Sequence, residues 1–515
     1  MTVALSDGKR NLWCGIAAAV SALLLWAAYP PHSETLAILV ALVPMLVVAR
    51  LSSPKRSALI FFLFGFLFWV LSLSWMPAII KNNGPWPLVL LGWFALAAAC
   101  AGYMALFGFG AAWLWRRRER VRSPALFAIV CLFAEAGLWA LIEYLRATLF
   151  TGFAWNFLGT AFAALPSFAT PARFGGVYLV SALVVLLNGV FATLFLRVFA
   201  PVLGIAEGAP SRSRLVGRLV QIAETGLPLA FILACLCVGN RMVRDGETRN
   251  AAPTYLRVAL VQRNAPCCFK PGKRENAYEA FGQLLDVAAA AKPDLVVLAE
   301  SAMAEFGSVR SFRAQDVARD FLKRAGAKLL MAGGDDVVSN RTYNAVALYA
   351  PDGEAEAGLR AVYHKQHLVP FGEYIPFDKW ITPLQKLSPV GVSLHPGEPT
   401  LFTVDVGGRT LKIAPLICYE DTDPALAAKA KKMGADLIVL VTNDSWFSNS
   451  AEAEAHTAQA VLRAVETGLP IVRVGNSGVT GVIRPDGTAR WLSDDAGRPL
   501  VDAPGILLET VAVPK

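Results

Sequence analysis

The feature that most limits this chain is a series of long apolar runs in its first half. Seven of them, near 11–29, 34–51, 58–80, 87–115, 124–145, 174–199 and 219–239, are candidates to cross a bilayer. A crossing needs roughly 17–25 predominantly apolar residues, whereas a helix buried in a soluble core suits runs of about 10–14. The second run is short and holds Pro44; the seventh carries Glu224 and Pro228. Residues 1–240 therefore read as a transmembrane helical domain of about seven spans. The chain is 55% hydrophobic and 17% charged, against about a quarter charged in a soluble protein. That deficit is confined to this half. Lys9 and Arg10 precede the first run as in a signal peptide. No clear small-x-small cleavage site follows, and more spans do, so it reads as an uncleaved first span. Cys14 is not a lipoprotein cysteine, because Trp13 precedes it and the apolar run lies after it.

Basic residues are distributed unevenly between alternate loops. With the N-terminus inside, the inner loops hold Lys9 and Arg10, then Arg50, Lys55 and Arg56, then "RRRERVR" at 116–122, then Arg197, Arg212, Arg214 and Arg218. The outer loops hold Lys81, Arg146 and Arg173. Cytoplasmic loops carry the excess of Lys and Arg. Seven spans from that start place residues 240–515 outside, which in a bacterium is the periplasm. The net charge of +9 then reflects orientation rather than nucleic-acid binding. Between the fifth and sixth runs, residues 146–173 are aromatic and broken by Gly and Pro. They are expected at the outer membrane interface, where Trp and Phe are favoured.

Residues 241–254 read as a linker, and 255–515 as an ordinary α/β domain. The segments 255–262, 294–301, 328–336, 343–351, 411–421 and 436–444 read as strands; 275–292, 318–327, 423–435 and 452–468 read as helices. Nearly continuous apolar strands are those covered on both faces, which gives a layered α/β domain. Three strands end in residues that chemistry can use: Glu300, Cys418 and Asn443–Asp444. In open α/β sheets, sites gather beyond the carboxyl ends of strands. A fourth polar cluster, "YHKQHLVPFGEY" (363–374), is a long irregular loop, and such loops in compact domains are functional or disordered. Its Tyr, Phe and Pro content argues for order.

Cys267, Cys268 and Cys418 are the exported cysteines; three do not make a disulfide framework. The five histidines show no HxxxH spacing and the cysteines no CxxC spacing, so no zinc site is expected. A thiolate at Cys418 needs a base or a positive neighbour, and Glu300 and Lys365 are candidates. Each also has a plainer reading. Free Cys often packs as a hydrophobe, Glu300 suits a helix cap, and Lys365 suits a solvated loop.

The order of motifs narrows these alternatives. "LAES" with Glu300, "YHKQHLVPFGEY" with Lys365, "ICYED" with Cys418 and "TNDSWF" (442–447) together resemble the nitrilase (carbon–nitrogen hydrolase) superfamily. With membrane spans in front, the chain resembles the bacterial apolipoprotein N-acyltransferase family within it. "GFAWNFLG" (152–159) is similar to a membrane-loop motif of that family. The resemblance implies an αββα sandwich behind a transmembrane helix bundle, and a Glu300–Lys365–Cys418 triad. It implies supporting or oxyanion roles for Tyr419, Glu373 and Glu420, and substrate contacts from Trp446, Phe447, Asn443 and Trp155. Trp446–Phe447 suit membrane anchoring equally well.

The implied reaction moves an acyl chain from a phospholipid to the α-amino group of a diacylglyceryl-cysteine. That residue begins an apolipoprotein, and the chain passes through a Cys418 thioester with ping-pong kinetics. No cofactor, metal or nucleic acid is expected, and the protein is expected to work as a monomer in the inner membrane. Three positions depart from the family pattern: Ala299 before Glu300 and Ala154 in "GFAW", where Pro is usual, and Pro271, where Trp is common. The family also ends on an eighth span; this sequence stops at "GILLETVAVPK", so either this member lacks that span or the chain is truncated. Two rivals remain: a membrane-tethered amidase acting on a small amide, and a non-catalytic lipoprotein-binding scaffold.

Overall fold

The long apolar runs fold as helices in a computed structural model, which describes residues 7–82, 84–118, 124–199, 214–249, 253–266, 276–352, 356–376 and 393–514. Cys267, Cys268 and Pro271, and the basic run from 119 onward, lie outside these residues. The chain divides into two compact units, one of Met1–Ile80 with Gly84–Met242, the other of Lys81–Asn83 with Val243–Lys515.

In the first unit, α1 (Asp7–Ala27), α3 (Pro54–Ser72), α5 (Trp86–Arg117), α6 (Pro124–Thr148), α7 (Ala172–Phe199) and α8 (Arg214–Arg249) each contain a stretch long and apolar enough to cross a membrane. The remaining expected span, 34–51, is instead broken into a 3-10 turn, Thr35–Leu39, and a short helix α2 (Val43–Leu51). Pro44 explains the break, because it lacks an N–H and suits the first turn of a helix rather than its interior. Between α3 and α5 lies a single turn, α4 (Ala78–Lys81). The expected linker from 241 is also revised: α8 continues to Arg249, and the polar stretch after Asn240 contains no proline to stop it.

The middle of the 146–173 segment is packed inside this unit, while Leu149, Phe150, Leu165 and Phe168 on its flanks are exposed. Ala154 to Phe162 are all buried. Non-helical backbone at membrane depth is tolerated only where protein satisfies its polar groups, and side chains do so here. Arg146 donates to the Phe153 and Trp155 carbonyls at 2.6 and 2.7 Å. Glu143 accepts the Leu158 N–H at 2.8 Å and Ser181 the Gly159 N–H at 3.0 Å. Tyr29 and Thr35 donate to the Phe157 and Ala161 carbonyls, both at 3.0 Å. Arg146 is thus an interior residue and not an outer-loop charge. Arg50 is internal too, paired with Glu135 at 3.2 Å.

The second unit holds two six-stranded sheets. The first runs in the order β12 (Gly505–Val513), β1 (Thr254–Gln262), β2 (Leu295–Leu298), β3 (Leu329–Val338), β4 (Arg341–Asp352), β5 (Glu356–His364). The second runs β11 (Ala489–Trp491), β10 (Gly481–Ile483), β9 (Ile471–Gly475), β8 (Leu437–Thr442), β7 (Arg409–Ile417), β6 (Phe402–Val406). Strands β1–β2–β3 and β7–β8–β9 are parallel; the flanking pairs are antiparallel.

Side-chain alternation sorts each strand between two layers. Leu256, Val258 and Leu260 join Leu411, Ile413, Leu437 and Val439 in the core between the sheets. Ala259 and Val261 face α9 (Ala277–Ala288) and α10 (Phe312–Ala325) on the outer side. Helices α11 (Pro424–Lys432) and α12 (Glu452–Thr467) pack together on the side of the second sheet. The result is the αββα sandwich. Because both faces of each parallel strand are covered, β8 is buried at every position.

Candidate active site

Both parallel cores end near the same chemistry. Glu300 lies two residues past β2, and Cys418 follows β7 directly. Lys365 follows the last residue of β5, and its N–H extends the ladder to the Asn344 carbonyl of β4 at 2.9 Å. Cys418 opens a 3-10 turn, Cys418–Thr422, with φ of +50°. Few non-glycine residues adopt this left-handed conformation, and strained backbone of this kind clusters at functional sites. The sulfur is a free thiol.

Lys365 is 1% exposed. Its Nζ sits 2.9 Å from Glu373 and 4.0 Å from Glu300. Asn344 Nδ2 donates to Glu300 and to Glu373, both at 2.7 Å. Glu373 also accepts the Val369 N–H at 2.8 Å. One amide therefore spaces the two carboxylates around one ammonium. Burial raises the Glu300 carboxyl above its ordinary range, and Lys365 opposes that rise. Burial likewise pushes the Cys418 thiol up, helped by Glu300 and opposed by Lys365. Burial disfavours the Lys365 ammonium, but Glu373, Cys418 and Glu300 together hold its pKa above the ordinary value. So the lysine stays charged, while the acid and the thiol are both shifted toward their neutral forms.

Glu420 is fully buried and holds the two halves of this site together. Its carboxylate accepts the Ile417 N–H at 2.7 Å, the Gln366 N–H at 2.6 Å and the His367 N–H at 3.1 Å. The Tyr363 hydroxyl adds a fourth donor at 2.8 Å. The bond to Ile417 is the backward half of a capping box on the nucleophile turn. The other three fix residues 363–367, and with them Lys365, to that turn.

A buried ionic cluster lies on the other side of Cys418. His456 on α12 donates from Nε2 to Asp421 at 2.9 Å and from Nδ1 to Asp444 at 3.1 Å. Arg473 on β9 donates to the same two carboxylates at 3.4 and 3.1 Å. Two ionised carboxylates can only accept, so His456 carries both ring protons. Burial opposes that cation, but Asp421 and Asp444 push its pKa up to about 10. Asp444 also accepts from the Thr442 hydroxyl at 2.8 Å.

Sequence comparison adds a family to this geometry. The pattern described as apolipoprotein N-acyltransferase N-terminal domain matches residues 21–190, and the carbon–nitrogen hydrolase pattern matches 257–494. A protein of Allorhizobium ampelinum named apolipoprotein N-acyltransferase is 32% identical over 458 residues, covering 84% of this chain and 76% of its own length. One of Treponema pallidum, named apolipoprotein N-acyltransferase 2, is 30% identical over 545 residues, covering 97% and 89%. The chain belongs to the apolipoprotein N-acyltransferase family. Among solved structures, an amidase from Nesterenkonia sp. is similar over 51% of this chain and 92% of its own, with 20% identity and a TM-score of 0.37.

The family's implied residues fall into three groups here. Glu300, Lys365, Glu373 and Glu420 converge as described, with Cys418 and Tyr419 on the turn beside them. The Tyr419 ring packs edge-on against His367, centroids 5.4 Å apart. Trp446 and Phe447 are half-buried in a 3-10 turn, Asp444–Phe447. Asn443 and Trp155 make contacts within the protein. The Asn443 carbonyl caps the 444–447 turn, accepting from the Ser445 N–H and hydroxyl and from Asn476. Trp155 is buried within the helical unit against Trp75. Sequence reasoning passed over Asn344, Asp421, His456 and Arg473. One signal was available: an arginine inside the apolar strand "IVRVG" requires a buried acid as partner.

Proposed function

We propose that this protein takes an acyl chain from a phospholipid onto Cys418 and delivers it to the α-amino group of a diacylglyceryl-cysteine. What carries the reading is Lys365: a fully buried ammonium, clamped by Glu373 and facing Glu300, at the strand ends where the nucleophile turn begins. A solvated loop lysine would have none of these constraints. Family membership supports the choice of substrates.

In the first half-reaction the Glu300 carboxylate takes the Cys418 thiol proton, and the sulfur attacks the ester carbonyl. Lys365 and the Tyr419 backbone N–H are the donors for the oxyanion that forms. Such a donor is worth about 3–4 kcal/mol in the transition state. The C–O bond breaks, Glu300 returns its proton to the departing lysophospholipid oxygen, and a thioester remains. In the second half a neutral α-amine attacks that thioester. Glu300 takes a proton from the nitrogen and passes it to the leaving sulfur, which restores the thiol. Raised pKa values on both Glu300 and Cys418 suit this shuttling of one proton.

We also propose that residues 250–515 face the periplasm. With the broken 34–51 run still counted as a crossing, and Arg50 and Arg146 counted as internal, Lys9, Arg10, Lys55, Arg56 and the run from Arg116 outnumber Lys81 and Arg173.

Mass spectrometry of the intact protein after incubation with phospholipid tests the reaction. An acyl adduct on Cys418 that disappears on adding diacylglyceryl peptide is the expected result. A protein that labels with thiol reagents at Cys418 yet forms no adduct overturns it.

A further inference from the structure

Around the nucleophile lies a set of donor atoms that, Cys418 Sγ apart, the acyl-transfer steps do not use. Cys418 Sγ, one Asp444 oxygen and one His456 ring nitrogen lie within 4.8 Å of one another. Glu452, one helical turn before His456, brings its Oε1 to 3.6 Å from His456 Nδ1. Its other oxygen, Oε2, is buried with no hydrogen-bond partner, on a residue 4% exposed. An unpartnered buried carboxyl oxygen costs about 1–3 kcal/mol, so this atom calls for a ligand. Asp421 holds His456 Nε2. A metal-binding imidazole is oriented in this way, by a carboxylate on its far nitrogen.

We propose that this pocket takes one divalent cation of the zinc class, bound by Cys418 Sγ, His456 Nδ1 and Asp444, with Glu452 Oε2 closing the fourth position. A thiolate, an imidazole and carboxylates are the donor types zinc selects. Magnesium and calcium require six or more oxygens and find too few here. Bond lengths of roughly 2.0–2.3 Å place neighbouring ligand atoms of a tetrahedral zinc about 3.3–3.8 Å apart. The 3.1 Å from His456 Nδ1 to Asp444 and the 3.6 Å from Nδ1 to Glu452 are already close to that. The sulfur closes the remaining gap by about 1 Å, given the same bond lengths.

Charge nearly balances. The cation replaces the thiol proton of Cys418 and the Nδ1 proton of His456, and it also displaces the proton that burial and Asp444 favour on Glu452, whose pKa is raised to about 8. Three protons leave as two positive charges enter, so the buried cluster changes by one unit, and Arg473 keeps its bonds to Asp421 and Asp444. A larger uncompensated charge in such a site is costly. Metal on the sulfur occupies the lone pair needed for attack, so zinc closes the enzyme reversibly. This consequence rests on Cys418 being the nucleophile; the binding does not.

The test uses full-length protein in detergent with Cys267 and Cys268 changed to Ser, stripped with chelator and titrated with zinc chloride. One zinc per chain is expected, and cobalt in its place should give a thiolate-to-cobalt charge-transfer band. Cys418→Ser removes that band, and Glu452→Gln weakens zinc binding about 10–100-fold. Zinc-loaded protein should form no thioester with phospholipid until chelator is added. Failure to bind zinc, or binding and a cobalt spectrum unchanged in both variants, overturns the proposal. Metal-free protein that forms no thioester counts against the acyl-transfer reading alone.

Discussion

Glu420 is the residue whose meaning changes most once the fold is known. In the sequence it is one acid beside a cysteine, with no visible partner. In the structure its carboxylate accepts four donors, three of them from residues 363–367. Those donors lie more than fifty positions upstream, and no spacing rule connects them. Its place argues for orienting Lys365 on the nucleophile turn, before any acceptor amine arrives. Glu420→Gln turns an amide donor toward backbone N–H groups and leaves a buried donor unsatisfied, worth about 1–3 kcal/mol. Thioester formation itself should slow about 10–100-fold, read by the rate of acyl adduct appearance. Lys365→Met removes the proposed oxyanion donor and the cation that opposes the rise of the thiol pKa. The rate should fall about 10²–10³-fold, and the pH midpoint for Cys418 alkylation should move upward. An unchanged midpoint would place Lys365 too far from the sulfur. Cys418, Glu300 and Lys365 were legible as a set because their motifs resemble a family in order. Asn344, which spaces the two acids, was not, because an asparagine within a strand has no distinctive pattern.

Elements show where composition misleads. Residues 153–162 are aromatic and apolar, which fits a membrane interface and a packed interior equally. Burial is decided by the polar side chains of α6 and α7, which bond the segment's backbone. Arg146→Met strands two buried carbonyls, at about 1–3 kcal/mol each. The purified protein should lose several degrees of thermal stability in detergent, measured by unfolding scans, while Cys418 stays intact to labelling. The ionic cluster joins the 418–422 turn, the 444–447 turn, α12 and β9. His456 has its pKa raised from 6.5 to about 10. A raised pKa means the stabilisation is complete below about pH 6.5 and is lost as pH climbs toward 10. Wild type should therefore lose melting temperature across pH 7–10 more steeply than His456→Gln; equal slopes would remove His456 from the account. Helices α9 to α12 and six strands were readable from periodicity. β5, β6 and β9–β12 were not, because they are short, interrupted by charge as at Arg473, or edge strands with weak alternation.

At the scale of the whole molecule, the charge asymmetry predicts which side each part faces. A cysteine placed at exposed Ala496 should react with a membrane-impermeant maleimide in intact spheroplasts, and one placed at Lys55 should not. The reverse pattern would invert the topology. By itself the sequence determined that the chain has an apolar helical half and a layered α/β half. It also determined that a cysteine, a glutamate and a lysine end up at loop or strand ends in the second half. These follow from local facts: hydrophobic length, periodicity and motif order. Only the tertiary structure decided which charges are internal, that the 34–51 run breaks, and what Glu420 holds. It also brought Cys418, Asp444, Glu452 and His456 together. Their spacing in the chain hides any metal pattern, because the donors come from separate elements that meet only through long-range packing of β7, β8 and α12. Hydrogen bonds and ion pairs depend on distances of a few ångströms between distant positions, and sequence spacing carries no such distances.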